Sequence, residues 1–82
     1  MGKQIDFAEF DPSVVARHSA AYLAALPRLP LVVLAAHLRC WEGVPMRGRR
    51  DRRFVAVMHS RVADALSRRQ AMLALSVPPS QS

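Results

Sequence analysis

The stretch Pro30-Leu-Val-Val-Leu-Ala-Ala-His-Leu-Arg-Cys-Trp41 decides how the rest of the chain is read. At about 100° per residue it makes a helix whose main stripe is Leu31, Leu34, Leu38 and Trp41. The opposite side, Val32, Val33, Ala36 and Cys40, is nearly as apolar, and only His37, Arg39 and Glu42 interrupt the circle. A helix that is apolar on two faces has to be covered on both. A chain of 82 residues has little other material for the purpose, so the pattern predicts a second copy, or a partner protein, against Val32, Val33, Ala36 and Cys40. The unbroken apolar run, Leu31 to Ala36, is far shorter than the ~20 residues a bilayer requires, and no membrane contact is expected.

On the N-terminal side, Leu26-Pro-Arg-Leu-Pro30 is a joint in which one proline ends a helix and the next begins another. Its PxxP pattern with an arginine is also that of a polyproline ligand, but the joint explains it more simply. Before the joint, Asp11-Pro12-Ser13 carries the signature of a helix start, with Asp as N-cap and Pro in the first turn. One helix is predicted over 11–26, with Val15, Tyr22 and Leu26 on one face and Leu23 at its edge. A second side carries Ala16, Ala20 and Ala24, small enough for a neighbouring helix to come close. Residues 1–10 form an extended N-terminal arm in which Ile5, Phe7 and Phe10 are anchors among the acids Asp6 and Glu9. Docking on the chain's own helices is the expectation; exchange with a second subunit is the alternative.

On the C-terminal side, Gly43 and Pro45 close the central helix near residue 42. A basic joint follows over 43–50, and then a third helix over 51–75. Phe54, Val55, Met58, Val62, Ala65, Leu66, Met72 and Leu73 fall on one stripe of it, with Arg53, Ser60, Asp64, Ser67 and Arg68 opposite. Arg69 is anomalous, because it projects from the middle of the apolar stripe. It either snorkels past the end of the core or meets an acid across an oligomer interface, and it is therefore grouped with Val32, Val33, Ala36 and Cys40. Residues 76–82 are a frayed tail, and no internal repeat is present.

The charge is concentrated in one residue type. Eleven arginines and one lysine face six acids, for a net charge of +6. Arginine suits planar, bidentate binding of carboxylates and phosphates, although arginine-rich composition also follows from a GC-rich genome. Arg47, Arg49, Arg50, Arg52 and Arg53, joined by Arg61 further along, are the strongest local field and the predicted partner-binding site. An acidic protein surface is the favoured partner. Nucleic acid is the alternative, since arginine neutralisation of phosphates supplies most non-specific affinity. Against it, the cluster has no interleaved aromatics for stacking, and the joint of about eight residues is longer than a helix-turn-helix turn of roughly 3–4.

Other chemistry finds little footing. His18, His37, Cys40 and His59 are the residue types of a zinc site, but their spacing matches no zinc motif, so no metal and no cofactor are expected. Cys40 beside His37 resembles a nucleophile and base, yet nothing marks an oxyanion hole or an orienting acid. A single cysteine excludes an internal disulfide and suits a reducing, cytoplasmic setting. The first 25 residues have no basic start followed by a greasy core, so no secretory leader is expected. The sequence thus predicts an all-α, three-helix domain with an N-terminal arm, forming a homodimer. It is expected to be a non-enzymatic regulator or inhibitor that binds a larger protein stoichiometrically. Such economy suits accessory proteins of bacteria, their phages and mobile elements. A nucleic-acid-binding regulator and a structural subunit of a larger assembly are the rival readings.

Overall fold

The computed structural model describes residues 5–76. They hold α1 (Pro12–Arg17), α2 (Ser19–Ala25), a 3-10 turn (Leu26–Arg28), α3 (Leu31–Glu42) and α4 (Arg49–Ser76). Helices carry all the regular structure among the described residues, as the periodicity requires. The predicted tail lies, apart from Ser76, outside the described residues, as do the first four residues of the arm.

The start of α1 forms as the sequence indicates. Asp11 is extended, at φ −142° and ψ 103°, and its carboxylate accepts the N–H groups of Ser13 at 3.0 Å and Val14 at 3.5 Å. The single helix expected over 11–26 is, however, two helices. His18 leaves the helical region at φ −129° and ψ 44°. Its N–H closes α1 on the carbonyls of Val14 and Val15, and its own carbonyl accepts the N–H of Tyr22 at 2.9 Å to open α2. No proline or glycine marks this point, so local propensity does not account for the break. The α-helix does end next to Pro27, at Ala25, and Pro27 itself sits inside the 3-10 turn, near a helix start where its missing N–H forfeits no bond. That tight turn sends both Leu26 and Leu29 into the core.

The carbonyl of Pro30 accepts the N–H groups of Val33 and Leu34, each at 3.0 Å, and so opens α3. Gly43 closes it, donating to Cys40 O at 3.0 Å. The last helix begins at Arg49, two residues before the predicted start. Arg52 N–H donates to Gly48 O at 3.0 Å, and the Asp51 carboxylate reaches back to the Arg47 N–H at 3.2 Å. An acid three residues into a helix that bonds an N–H ahead of it is half of a capping box. The 28 residues of α4 make a rod of about 42 Å at 1.5 Å per residue. It dominates a slab whose Cα extents are 50 × 35 × 16 Å.

The core is one cluster in which α3 and α4 make the principal helix contact. Val15, Tyr22, Leu26, Leu29, Leu34, Trp41, Val55, Met58 and Val62 are buried, with Phe54, Ala65 and Leu66 packed against them. The α4 stripe follows the sequence as far as Leu66 and then departs from it. Met72 is 65% exposed and Leu73 48%, because the rod runs on past the shorter elements that cover its first half.

The arm docks on its own chain. Phe7 is buried and meets the Tyr22 ring edge-on at 5.1 Å between centroids. Phe10 stands edge-on to His37 at 5.3 Å and to Trp41 at 4.8 Å, whereas Ile5 stays exposed. Asp6 accepts the N–H of Ala8 at 3.0 Å, which turns the chain between the two rings. Truncating a buried Phe to Ala costs roughly 3–5 kcal/mol. The Phe7→Ala variant should therefore lose a large share of the total, which for a chain this short is on the order of 4–12 kcal/mol. Urea unfolding followed by circular dichroism checks this; an unchanged midpoint would show that the arm contributes nothing to the fold.

Candidate functional site

The sequence places two kinds of candidate on the page, a histidine–cysteine set and an arginine cluster, and the structure treats them differently. His37 appears in the sequence as a polar interruption of a greasy helix. It is in fact buried at the centre of the core, only 2% exposed. Its Nδ1 lies 2.8 Å from Tyr22 Oη, and the Trp41 Nε1–H donates to that same oxygen at 3.1 Å. Indole can only donate, so the phenol accepts from Trp41, and its single O–H is left to serve His37 Nδ1. The other ring nitrogen, Nε2, is sealed from solvent and faces the arm backbone at Ala8 and Phe7 without a hydrogen bond of regular geometry. Burial holds His37 below its ordinary pKa of 6.5, with the backbone at Ala8 and Phe7 pulling the other way. Burial likewise raises the Tyr22 phenol, while the Trp41 hydrogen bond lowers it and the charge of Cys40 adds to the rise.

The other members of the histidine–cysteine set are scattered. His59 Nε2 lies 3.2 Å from a carboxylate oxygen of Glu42, and His18 and Cys40 are exposed. Among the described residues no three of the types His, Cys, Asp and Glu come together in a way that could hold a metal ion.

The arginine cluster, by contrast, is assembled. Arg49, Arg50, Arg52 and Arg53 are all exposed on the first turn and a half of α4, with exposed Arg47 just ahead. At 100° per residue the four fan over about 160° of the helix circumference, on the side away from the core. Asp51, the one acid of that turn, lies on the core side and is engaged with the Arg47 N–H. This end of a helix carries about half a positive charge from its aligned peptides. Cations are disfavoured there, by a few tenths to about 1 kcal/mol apiece at an exposed site. Four of them at once, repelling one another as well, are a local electrostatic conflict that the single acid Asp51 offsets only in part.

Arg61 is not part of this spot, since it lies about 12 Å further along the axis than Arg53. It belongs to a groove of about 320 Å³ between α2, the 3-10 turn and the second half of α4. Leu23, Leu26, Pro27, Ala65 and Met72 supply its apolar wall; Arg61, Asp64, Arg68 and Arg69 supply its polar groups. Asp64 pairs with Arg68 at 3.1 Å. Arg69 resolves its anomaly within the chain, because its guanidinium donates across the groove to the carbonyl of Pro27. The sequence had no means of finding this groove, since its two sides lie far apart along the chain, 42 residues in the case of Arg69 and Pro27.

Of the residues expected to seat a second copy, Val32 is 75% exposed, and Ala36 and Cys40 are exposed with it. Val33 instead turns partly inward against the core. No described helix is long and apolar enough to cross a membrane. Comparison with protein-family models, with curated proteins and with solved structures finds no match.

The buried histidine generates a pH dependence with a definite sign. Its pKa is lower in the folded chain than the ordinary 6.5 of the unfolded one. Below about pH 6.5 the unfolded chain then binds more protons, so the His37 contribution is complete above that pH and is lost as pH falls towards the folded value. The His59–Glu42 contact is largely exposed and worth little. Urea midpoints should drop between about pH 7.5 and pH 5, and the drop should shrink in His37→Gln, which does not titrate. Equal pH slopes in the two proteins would remove His37 as the cause.

Proposed function

We propose that this chain is a small non-enzymatic regulator that acts by stoichiometric binding to an acidic surface of a larger protein. Arg47, Arg49, Arg50, Arg52 and Arg53 make the contact. The observation that carries the reading is the uncompensated positive charge at the start of α4, where four guanidinium groups fan outward from the end of the helix that repels them. An anionic partner relieves both repulsions at once, since arginines and helix end act on it in the same direction. Between anionic partners, the aromatic residues favour protein over single-stranded nucleic acid. Phe7, Tyr22 and Trp41 are buried and Phe10 and Phe54 pack against the core, which leaves no ring in the arginine patch for bases to stack on. Duplex DNA or RNA, gripped through phosphates alone, is the second reading.

Replacing Arg49, Arg50, Arg52 and Arg53 by Ser tests the proposal. Helicity and melting temperature should hold or rise, because the helix end loses its repulsion. Capture of a stoichiometric protein from a nuclease-treated lysate should weaken by more than about tenfold, ~1.4 kcal/mol. Nuclease-sensitive capture, together with duplex binding that collapses with added salt, would replace the protein reading by the nucleic-acid one.

The exposed face of α3 is the place for a second copy in the same proposal. Ala36 is exposed in the single chain, so Ala36→Glu should leave helicity in place while halving the mass measured by light scattering. A parent protein that already has the mass of one chain at high micromolar concentration would discard the dimer.

A further inference from the structure

The groove on the distal half of α4 has a chemistry of its own. Its apolar wall is drawn from three elements, Leu23 of α2, Leu26 and Pro27 of the 3-10 turn, and Ala65 and Met72 of α4. Along its length Arg61, Arg68 and Arg69 face a single acid, Asp64, which Arg68 already holds. From Arg61 to Met72 the floor runs for about 16 Å, or three turns of a helix laid alongside. Arg69 is held at the groove by its bond to the Pro27 carbonyl, and three or more of its five donors remain to serve another acceptor. A guanidinium already fixed in place loses less freedom on meeting a carboxylate than a mobile one.

We propose that this groove is the docking site of an amphipathic helix that carries acidic residues along the flanks of its apolar stripe. An apolar trough with α4 on one side and α2 and the 3-10 turn on the other accepts a helix as a groove accepts a ridge, through apolar residues at i, i+3, i+4 and i+7. Charge decides the identity of that helix. A second copy of this chain would bring Arg61, Arg68 and Arg69 against the same arginines in a molecule of net charge +6. Its own acids cluster in the N-terminal arm, which Phe7 and Phe10 hold on the core. Residues 77–82 bring no carboxylate side chain. A helix with Glu or Asp on its flanks places carboxylates opposite Arg61 and Arg69 while its apolar face covers Leu23, Pro27 and Ala65. The site is separate from the arginine fan at the start of α4, so the two proposals stand or fall independently.

The probe is a labelled synthetic peptide of about 16 residues, with Leu on one helical stripe and Glu on both flanks, followed by fluorescence anisotropy on the full chain. Its control has the same stripe with Lys in place of Glu. The acidic peptide should bind at roughly micromolar concentration and the basic one at least about tenfold more weakly. In the Arg61→Ser/Arg68→Ser variant, whose substitutions lie on exposed positions and spare the fold, the acidic peptide should lose about tenfold. The variant with Ser at 49, 50, 52 and 53 should bind it nearly as well as the parent. Equal binding of the two peptides, or no binding of either below about 100 µM, overturns the proposal. So does a loss confined to the 49–53 variant, which would assign the peptide to the fan instead. A light-scattering mass of two chains that falls to one in Arg61→Ser/Arg68→Ser would put a second copy in the groove, and overturns it as well.

Discussion

A buried chain of two hydrogen bonds, from Trp41 Nε1–H to Tyr22 Oη and on to His37 Nδ1, is the constraint on which the structure depends. Each of these polar groups would cost about 1–3 kcal/mol if it were buried without its partner. The cost is avoided only when α2 and α3 lie at one separation and one rotation, so the three residues specify the register of the two helices. Tyr22 and His37 also stack, at 5.7 Å and 9° between planes, which excludes water from the bonds. Apolar residues alone would tolerate sliding of one helix over the other. The polar chain does not.

Around that centre the aromatic residues act as a shell. Phe7 closes one side of Tyr22, Phe10 bridges His37 and Trp41, and Phe54 of α4 meets Trp41 at 5.8 Å. Arm, α2, α3 and α4 are thus tied to one another through a single locus. A chain this short buries a small core, and placing every large ring at one point makes that core count in all four segments. The same arrangement removes the rings from the surface, which bears directly on what kind of anion the arginines can recognise.

The length of α4 turns this core into a scaffold. The helix is more than twice as long as any other element, so the core covers its first half and the second half runs on beyond it. One end carries the arginine fan, against the preference of a helix start for anions. Along the other half, the 3-10 turn and α2 lie beside α4 without filling the space between, and the groove results. Local rules of helix electrostatics and of apolar coverage are broken at these two places. Departures of that kind are where binding surfaces are to be sought.

Much of this was legible in the sequence. The 3.6-residue periodicity predicted helices over 11–26, 30–42 and 51–75, against the observed Pro12–Arg17 with Ser19–Ala25, Leu31–Glu42 and Arg49–Ser76. Asp11, Pro12 and Gly43 carry their boundaries in chemistry that acts within four or five residues. The five arginines at 47–53 were visible as a cluster because they are close along the chain, and Phe7 and Phe10 as anchors because little else apolar surrounds them. What only the tertiary structure decided depends on residues far apart. The break at His18 has no local breaker. The burial of His37 requires Tyr22, 15 residues away, to offer a proton, and the place of Arg69 requires the carbonyl of Pro27, 42 residues away. Periodicity assigns a residue to a face, but it contains no distance between faces. Whether a polar residue on an apolar stripe is an intruder or the keystone is settled by the partner that the fold brings to it.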